Sequence, residues 1–206
     1  MSGFSNTDTG GKPADPYTRA NKDADVPTQD KIDALDKFVS VCKFGMMTTR
    51  DKASGKLVSR CMAVAAEENN GVDYLFFTNT ESHKTDELKS DPHVNLAFLD
   101  SSGQWASVSG TASIETGRGL VQKYYSPTLR AWMGDLGDGK HDGSVNDPRI
   151  GIIRVQMATA TYAITDRTIL GRMAEVAKGM VTGEQANVNK IREITEDEAK
   201  ARRSAQ

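Results

Sequence analysis

The sequence contains little cysteine and little histidine, which limits the chemistry that it can support. Its 206 residues include 2 cysteines, Cys42 and Cys61, and 3 histidines. The cysteines lie far apart and do not form a CxxC pair, so neither a disulfide framework nor a structural zinc site is indicated. We interpret both cysteines as small buried apolar residues in a reducing, cytoplasmic protein, and we predict no metal site.

The chain also lacks long hydrophobic runs and a strong net charge. No segment approaches the ~18 consecutive apolar residues that a membrane-spanning helix needs, so no membrane association is expected. The net charge of −2 gives no basic field for nucleic acid. Residues 1–27 are polar and have no apolar stretch, which excludes a signal peptide or anchor there. We predict that they form a disordered arm.

The apolar periodicity and composition along the chain predict one domain over residues 28–165 and a charged, helical extension over residues 166–206. A helix is expected to begin at Thr28, with an apolar face formed by Ile32, Leu35, Phe38, Val39 and Cys42. Short alternating strands then follow, joined mostly by tight turns such as Asn69-Asn70-Gly71. The expected strands are 44–49, 57–66, 72–78, 94–99, 104–114, 150–157 and 159–164. This pattern indicates an α+β, mainly β fold, with an antiparallel meander that closes into a barrel.

Three segments carry residues that could support binding. Arg60 interrupts an apolar strand, where an unpaired charge is costly, although strand alternation can also point it outward. Ser82 and Lys84 open a short helix directly after a strand, which is typical of an anion site but also of an ordinary helix cap with a solvated lysine. Trp105 either belongs to the core or flanks a flat aromatic ligand, and Trp132 has the same two interpretations.

Other ligand-binding motifs are absent. The chain has neither GxGxxG after a strand nor GxxxxGK[ST], which argues against the Rossmann and P-loop folds. The Gly/Asp-rich segment 134–148 lacks the ligand spacing of an EF-hand. No Ser–His–Asp arrangement can be identified, so the catalytic residues stay unknown at this point.

The order and spacing of these segments resemble the FMN-binding split-barrel family, also called pyridoxamine 5′-phosphate oxidase-like. The resemblance covers about residues 30–164 and is greatest to the general stress protein subgroup. The Gly/Asp-rich loop and the long tail are similar to the fungal blue-light-induced branch. The matching elements are Arg60-x-Met62, Phe77-Thr78, Ser82-x-Lys84, Asp91-Pro92, Val108-Ser109-Gly110 and Asp147-Pro148.

This resemblance implies an antiparallel, six-stranded split β-barrel with flanking helices, which binds FMN as a homodimer. Arg60, Ser82 and Lys84 match positions that hold the FMN phosphate, a role suited to a planar guanidinium and a compact ammonium. Phe77, Thr78, Trp105 and Ala106 match positions beside the flavin ring, and Trp132 matches a residue supplied by the partner subunit. The expected cofactor-binding residues are Arg60, Cys61, Met62, Phe77, Thr78, Ser82, His83, Lys84, Trp105, Ala106 and Trp132.

Two departures from the family pattern limit the expected activity. His83 stands where pyridoxamine phosphate oxidases have a second arginine, and the tail lacks their substrate-binding Arg-x-His motif. We therefore expect flavin-dependent redox chemistry on some other small molecule. The alternatives are a non-catalytic flavin-binding stress or sensor protein and a protein that binds a deazaflavin.

Overall fold

The computed structural model describes residue 11 and residues 15–205. Within these residues, one antiparallel sheet forms the centre of the molecule and the helices lie around it. The helices are α1 Pro16–Asn21, α2 Thr28–Cys42, α3 His83–Ser90, α4 Arg118–Tyr124, α5 Leu129–Met133, α6 Ile169–Thr182 and α7 Glu196–Ser204. The strands are β1 Phe44–Arg50, β2 Leu57–Ala63, β3 Ala66–Glu68, β4 Asp73–Asn79, β5 His93–Leu99, β6 Trp105–Glu115, β7 Ile150–Ile164 and β8 Lys190–Ile194.

The sheet is a barrel that is open along one side. Seven strands follow one another in the order β2-β1-β5-β6-β7-β4-β3, and β8 also pairs with β7. The sheet curls so that β2 lies against β4, but in the described part of the chain these two strands do not pair. The predicted mainly β split barrel is confirmed. The described chain has eight strands, of which six correspond to predicted segments, with 150–157 and 159–164 joined in one continuous β7. The other two, β3 and β8, were not predicted.

The core follows the alternation of the strands. In β5, Val94, Leu96 and Phe98 are buried, while the residues between them face outward. The apolar face of α2 covers one end of the barrel, as its periodicity predicts. Gly110 lies where the β6–β7 register shifts, and a Cβ there would be 2.1 Å from the Gln156 carbonyl oxygen. Only glycine allows the two strands to approach so closely.

Residues 15–27 are not the disordered arm that their polar composition predicts. Helix α1 lies here, and the Asn21 side chain, 3% exposed, accepts the backbone N–H groups of residues 188 and 189. Asp23 forms an ion pair with Arg192 in β8 at 2.8 Å. Polar contacts order this segment. Its lack of an apolar pattern therefore did not indicate disorder. The rest of the predicted arm, residues 1–10 and 12–14, lies outside the described residues.

The extension over residues 166–206 is helical only in part. The strand β8 interrupts it and pairs with β7, burying Ile191 and Ile194. Charged residues separate the two buried isoleucines, so the sequence does not show the apolar alternation that is typical of a strand. Helix α7 then returns to the barrel, where Arg203 pairs with buried Asp73 at 3.0 Å. Among the described residues, no helix is both long and apolar enough to span a membrane.

Candidate functional site

Arg60 faces into the barrel opening and is held by a buried carboxylate. Its Nη1 and Nη2 donate to the two oxygens of Glu87 on α3, at 2.8 and 2.7 Å. Glu87 is 1% exposed and also accepts the Thr49 hydroxyl at 2.6 Å. The hydrogen bonds from Arg60 hold the pKa of Glu87 below its usual value. This two-point pairing fixes the plane of the guanidinium, whose side chain stays 29% exposed.

Lys84, one turn before Glu87 on α3, is a second cation near Arg60. Its Nζ lies 3.8 Å from the Met62 sulfur, so the side chain spans the opening between α3 and β2. No carboxylate of the described residues forms an ion pair with it. Burial and the nearby Arg60 charge lower the pKa of the Lys84 ammonium. A half-buried ammonium beside a guanidinium is costly unless an anion joins them.

Ser82 and His83 begin α3 beside these cations. The Ser82 hydroxyl donates to the Asn79 carbonyl at 2.7 Å and does not cap the helix. The His83 Nε2 lies 3.0 Å from an Asp51 oxygen, and this hydrogen bond raises the pKa of the imidazole. His83 is therefore directed toward the β1–β2 turn, and its Nε2 also lies 3.5 Å from a Glu87 oxygen.

Asp51, His83 and Glu87 bring one possible metal-ligand atom each within 4.8 Å of one another. Both Glu87 oxygens, however, already accept hydrogen bonds from Arg60. A cation bound there would compete with the guanidinium and be repelled by its charge. The arrangement suits an anion near Arg60 better than a metal.

Phe77 and Thr78 lie at the end of β4 that extends beyond β3. The strand β3 pairs with β4 only as far as Leu75, whereas Phe77 and Thr78 pair with β7 on the other side. Thr78 is buried, and half-buried Phe77 packs with Leu75 and Ile152. This end of β4 leads directly into Ser82 and α3, so the predicted ring-edge residues adjoin the predicted phosphate residues.

Trp105, Ala106 and Cys61 are not part of the same cluster. Ala106 is buried in the main core, and Trp105, 36% exposed, lies on the outer face of the sheet. Cys61 is exposed on β2, opposite Met46, and points away from Arg60 because successive strand residues alternate. The prediction that both cysteines are buried is therefore wrong, since Cys42 is only half-buried.

Trp132 is 86% exposed and does not pack into its own barrel. Its neighbours on α5, Leu129 and Met133, pack with Ile150 and Ile152 and turn the indole outward. The position of α5 is fixed by the buried Asp147–Arg149 pair, at 2.6 Å. Arg149 also donates to the carbonyls of residues 133 and 134, directly after the tryptophan.

The described residues fit a phosphate-bearing cofactor such as FMN at the opening between β2, β4 and α3. Two cations, Arg60 and Lys84, meet a single carboxylate there, which leaves one positive charge for an anion. The sequence identified both cations but not Glu87 or Thr49. Glu87 lies in a polar helix that looks solvent-facing in sequence, and Thr49 is a strand residue without a distinctive motif. A signal that could have pointed to Glu87 was the need of inward-facing Arg60 for a carboxylate.

Comparisons with known proteins agree with this architecture. The chain is 60% identical over 204 residues to Protein bli-3 of Neurospora crassa, covering 98% of each chain. A Clostridium acetobutylicum protein described as related to general stress protein 26 has a TM-score of 0.57 at 16% identity, over 83% of this chain and 98% of that one. A pyridoxamine 5′-phosphate oxidase-related, FMN-binding protein of Nostoc punctiforme has a TM-score of 0.53 at 10% identity, over 67% and 84%.

The family model described as "Pyridoxamine 5'-phosphate oxidase like" matches residues 30–187, most of this chain. That range contains the barrel, the Arg60–Glu87 pair, Lys84 and the loop that positions Trp132. The chain therefore belongs to the pyridoxamine 5′-phosphate oxidase-like family.

Proposed function

We propose that this protein binds FMN and uses it for redox chemistry on a small molecule. The observation that carries the proposal is the pair of converging cations, Arg60 and half-buried Lys84, with Glu87 as their one carboxylate partner. A phosphate monoester would satisfy the remaining charge with charge-assisted hydrogen bonds. Membership of a family with FMN-binding relatives supports the choice of cofactor.

Each residue of the opening would have a distinct role. Arg60 and Lys84 would bind the phosphate, and Glu87 would hold the guanidinium in place. The Ser82 hydroxyl would bind the phosphate by turning away from the Asn79 carbonyl. The end of β4 at Phe77 and Thr78 would border the ring. Bound flavin would supply hydride or electron transfer, and the protein would orient it and exclude water.

We further propose a homodimer that forms through the outer face of the sheet. This face carries Phe44, Met46, Leu57, Leu99 and Trp105, each at least 36% exposed. All but Leu57 lie toward one end of the strands, and monomeric proteins rarely expose a contiguous apolar patch. A two-fold axis would bury the patch of both subunits together and would bring exposed Trp132 to the partner's flavin. The unpaired cysteines support a reducing, cytoplasmic environment.

The cofactor assignment can be tested by titrating the purified protein with FMN while recording its visible absorption. Lys84→Ala should weaken binding at least tenfold, because a charged hydrogen bond contributes about 1.5–3 kcal/mol. Lys89→Ala is the matched control, since Lys89 lies on the same helix but is exposed and paired with Asp86. Equal affinity in all three proteins would contradict the phosphate site.

Binding and catalysis need separate tests. In the described cluster His83 is paired with Asp51 and Glu87 with Arg60. Neither side chain is therefore free to act as a general acid or base. This observation favours a non-catalytic flavin-binding protein as the second candidate. Reduction of bound FMN by a reduced nicotinamide, followed by reoxidation of the reduced flavin by a small-molecule acceptor over repeated turnovers, would favour the enzyme. Flavin bound without turnover would favour the second candidate. Tighter binding of a deazaflavin than of FMN would identify a different cofactor.

A further inference from the structure

Helix α6 presents its apolar side to solvent instead of to the barrel. The exposed apolar residues, called here the α6 stripe, are Leu170 (78%), Met173 (64%), Val176 (48%), Met180 (83%) and Val181 (87%). Their spacing places them along one side of the helix. Among the α6 side chains that the structure describes, the less exposed ones are Gly171, Arg172, Glu175 and Gly179, which are small or polar. In an ordinary surface helix the apolar side packs on the core and the polar side faces solvent.

Specific contacts hold α6 in this orientation. The Arg172 guanidinium donates to the carbonyl of Ser102, in the turn between β5 and β6, at 2.5 Å. Glu175 accepts a hydrogen bond from Arg167 at 3.0 Å. On the same side, a Cβ at Gly179 would be 2.7 Å from the Glu184 carbonyl oxygen, so the returning chain passes directly against the helix there. The polar side is therefore the anchored side.

Both ends of α6 are also well defined. The Thr168 hydroxyl accepts the N–H of Gly171 at the start, and Gly183 ends the helix with φ +73°. These are ordinary helix-capping arrangements, which specify the helix from its own sequence. The exposed stripe therefore belongs to a fully formed helix. Burying its large apolar side chains against another surface would be favourable, because it removes apolar surface from water.

The α6 stripe begins near the end of the barrel where Leu99 and Trp105 of the outer face lie. Arg172 binds the turn that joins Leu99 to Trp105, and both of these residues belong to that face. The N–H of Thr165, just before α6, donates to Gln104 in the same turn. The five residues of the stripe and the five of the outer face are each few compared with the roughly 20–30 residues per side of a stable interface. Together the two surfaces would supply the apolar centre of such an interface.

Two other occupants fit the stripe less well. A helix that binds a membrane surface has a lysine- and arginine-rich polar face and aromatic anchors, whereas α6 has Arg172, Lys178 and Glu175 and no aromatic residue. The chain before residue 15 has only Met1 and Phe4 as large apolar residues, too few to cover five. A second copy of this chain offers a matching apolar surface at the same place.

We propose that α6 packs on the partner subunit and extends the dimer interface beyond the sheet. This inference rests on the homodimer of the proposed function. In a symmetric dimer each subunit would contribute its α6 and cover the other's, so that the stripe is buried twice. The C-terminal extension would then serve assembly, whereas the barrel opening serves cofactor binding.

Sedimentation of the full-length protein over a range of concentrations tests this proposal. The double variant Leu170→Lys/Met180→Lys should raise the dimer dissociation constant at least tenfold, because it places two charges in the interface. Lys178→Ala, an exposed position of α6 outside the stripe, is the matched control and should leave the constant unchanged. Far-UV circular dichroism should show equal helix content in all proteins, so that loss of assembly is not loss of folding.

A third variant, Leu99→Lys on the outer face, separates the two proposals. Weaker dimers in both the α6 and Leu99 variants would support the inference. Weaker dimers in the Leu99 variant alone would overturn it and leave the dimer of the proposed function intact. A parent protein that is monomeric at all concentrations would overturn both. Binding of the parent, but not of the α6 variant, to phosphatidylserine-containing vesicles with unchanged dimerisation would overturn it in favour of a membrane surface.

Discussion

At the scale of single residues, the most informative feature is Arg60, a charged residue of β2 that faces the barrel opening. Arg60 is neither outward-pointing nor unpaired, because Glu87 and Thr49 lie within hydrogen-bond distance of its guanidinium. The pair leaves part of the guanidinium exposed at the barrel opening. A structural ion pair and an anion-binding role are therefore compatible in the same arginine.

Replacing Glu87 with alanine should destabilise the protein by about 2–3 kcal/mol. Breaking a buried pair usually costs ~3–5 kcal/mol, but Arg60 can recover some hydration because it is 29% exposed. Denaturant unfolding of the variant measures this loss. Asp86→Ala, on the exposed side of the same helix, should change the free energy of unfolding by less than about 0.5 kcal/mol. A similar small effect for Glu87→Ala would show that the pair does not contribute to stability.

Asp36 should make stability depend on pH. Burial and the carboxyls of Glu67 and Asp33 raise the pKa of Asp36 to about 8. The folded protein keeps this proton while the unfolded chain, with an ordinary pKa near 3.8, loses it. Stability from this group is therefore fully present below about pH 4 and is lost as the pH rises toward 8.

The Asp36→Asn variant should consequently gain stability relative to the parent as the pH rises from 4 to 8. Denaturant unfolding of both proteins across this range gives the difference directly, so that contributions from other groups cancel. Asp33→Asn, on the exposed part of the same helix, should show a much smaller trend. A constant difference between the Asp36→Asn variant and the parent would mean that Asp36 ionises normally in the folded state.

At the scale of elements, deletion of helix α1 tests whether the segment before the barrel contributes to stability. Deleting residues 1–24 removes the buried hydrogen bonds of Asn21 and the Asp23–Arg192 pair. We expect a loss of about 2–3 kcal/mol, which lowers the melting temperature by ~4–12 °C. Deleting residues 1–10 alone is the control. Equal melting of the two truncated proteins would show that α1 does not stabilise the barrel.

Elements with a regular apolar period could be predicted from the sequence, and those defined by polar or distant contacts could not. The face of α2 and the alternation of β5 follow directly from their periods. The strand β8 was missed because Arg192 and Glu193 separate its two buried isoleucines. Both site cations, Arg60 and Lys84, could be identified, but their carboxylate could not. Glu87 meets Arg60 only because the barrel folds α3 onto β2.

At the scale of the whole molecule, the charged contacts that hold the chain together and the exposed apolar residues lie in different parts of the protein. The first and last described segments are held to the barrel by charged contacts, such as Asp23 with Arg192 and Arg203 with Asp73. The apolar residues of the outer face and of α6 are left exposed. This separation is what the proposed homodimer requires, since folding of each chain would leave the apolar surface free for association.

A mixed-dimer experiment can decide whether Trp132 acts on the partner's site. In a two-fold dimer with shared sites, each flavin would meet Lys84 of one subunit and Trp132 of the other. Lys84→Ala and Trp132→Ala dimers should each bind FMN weakly. In a heterodimer of the two chains, one site would then carry both changes and the other would carry neither.

Mixing the two variants and allowing subunits to exchange should therefore create sites of parental affinity that neither variant has alone. These sites would be detected as a tight phase in an FMN titration monitored by flavin fluorescence. If Trp132 instead acted on its own subunit's site, every site in the heterodimer would keep one defect and no tight phase would form. The Trp132 indole is 86% exposed while its helix neighbours are packed inward. That placement leads us to expect the tight phase.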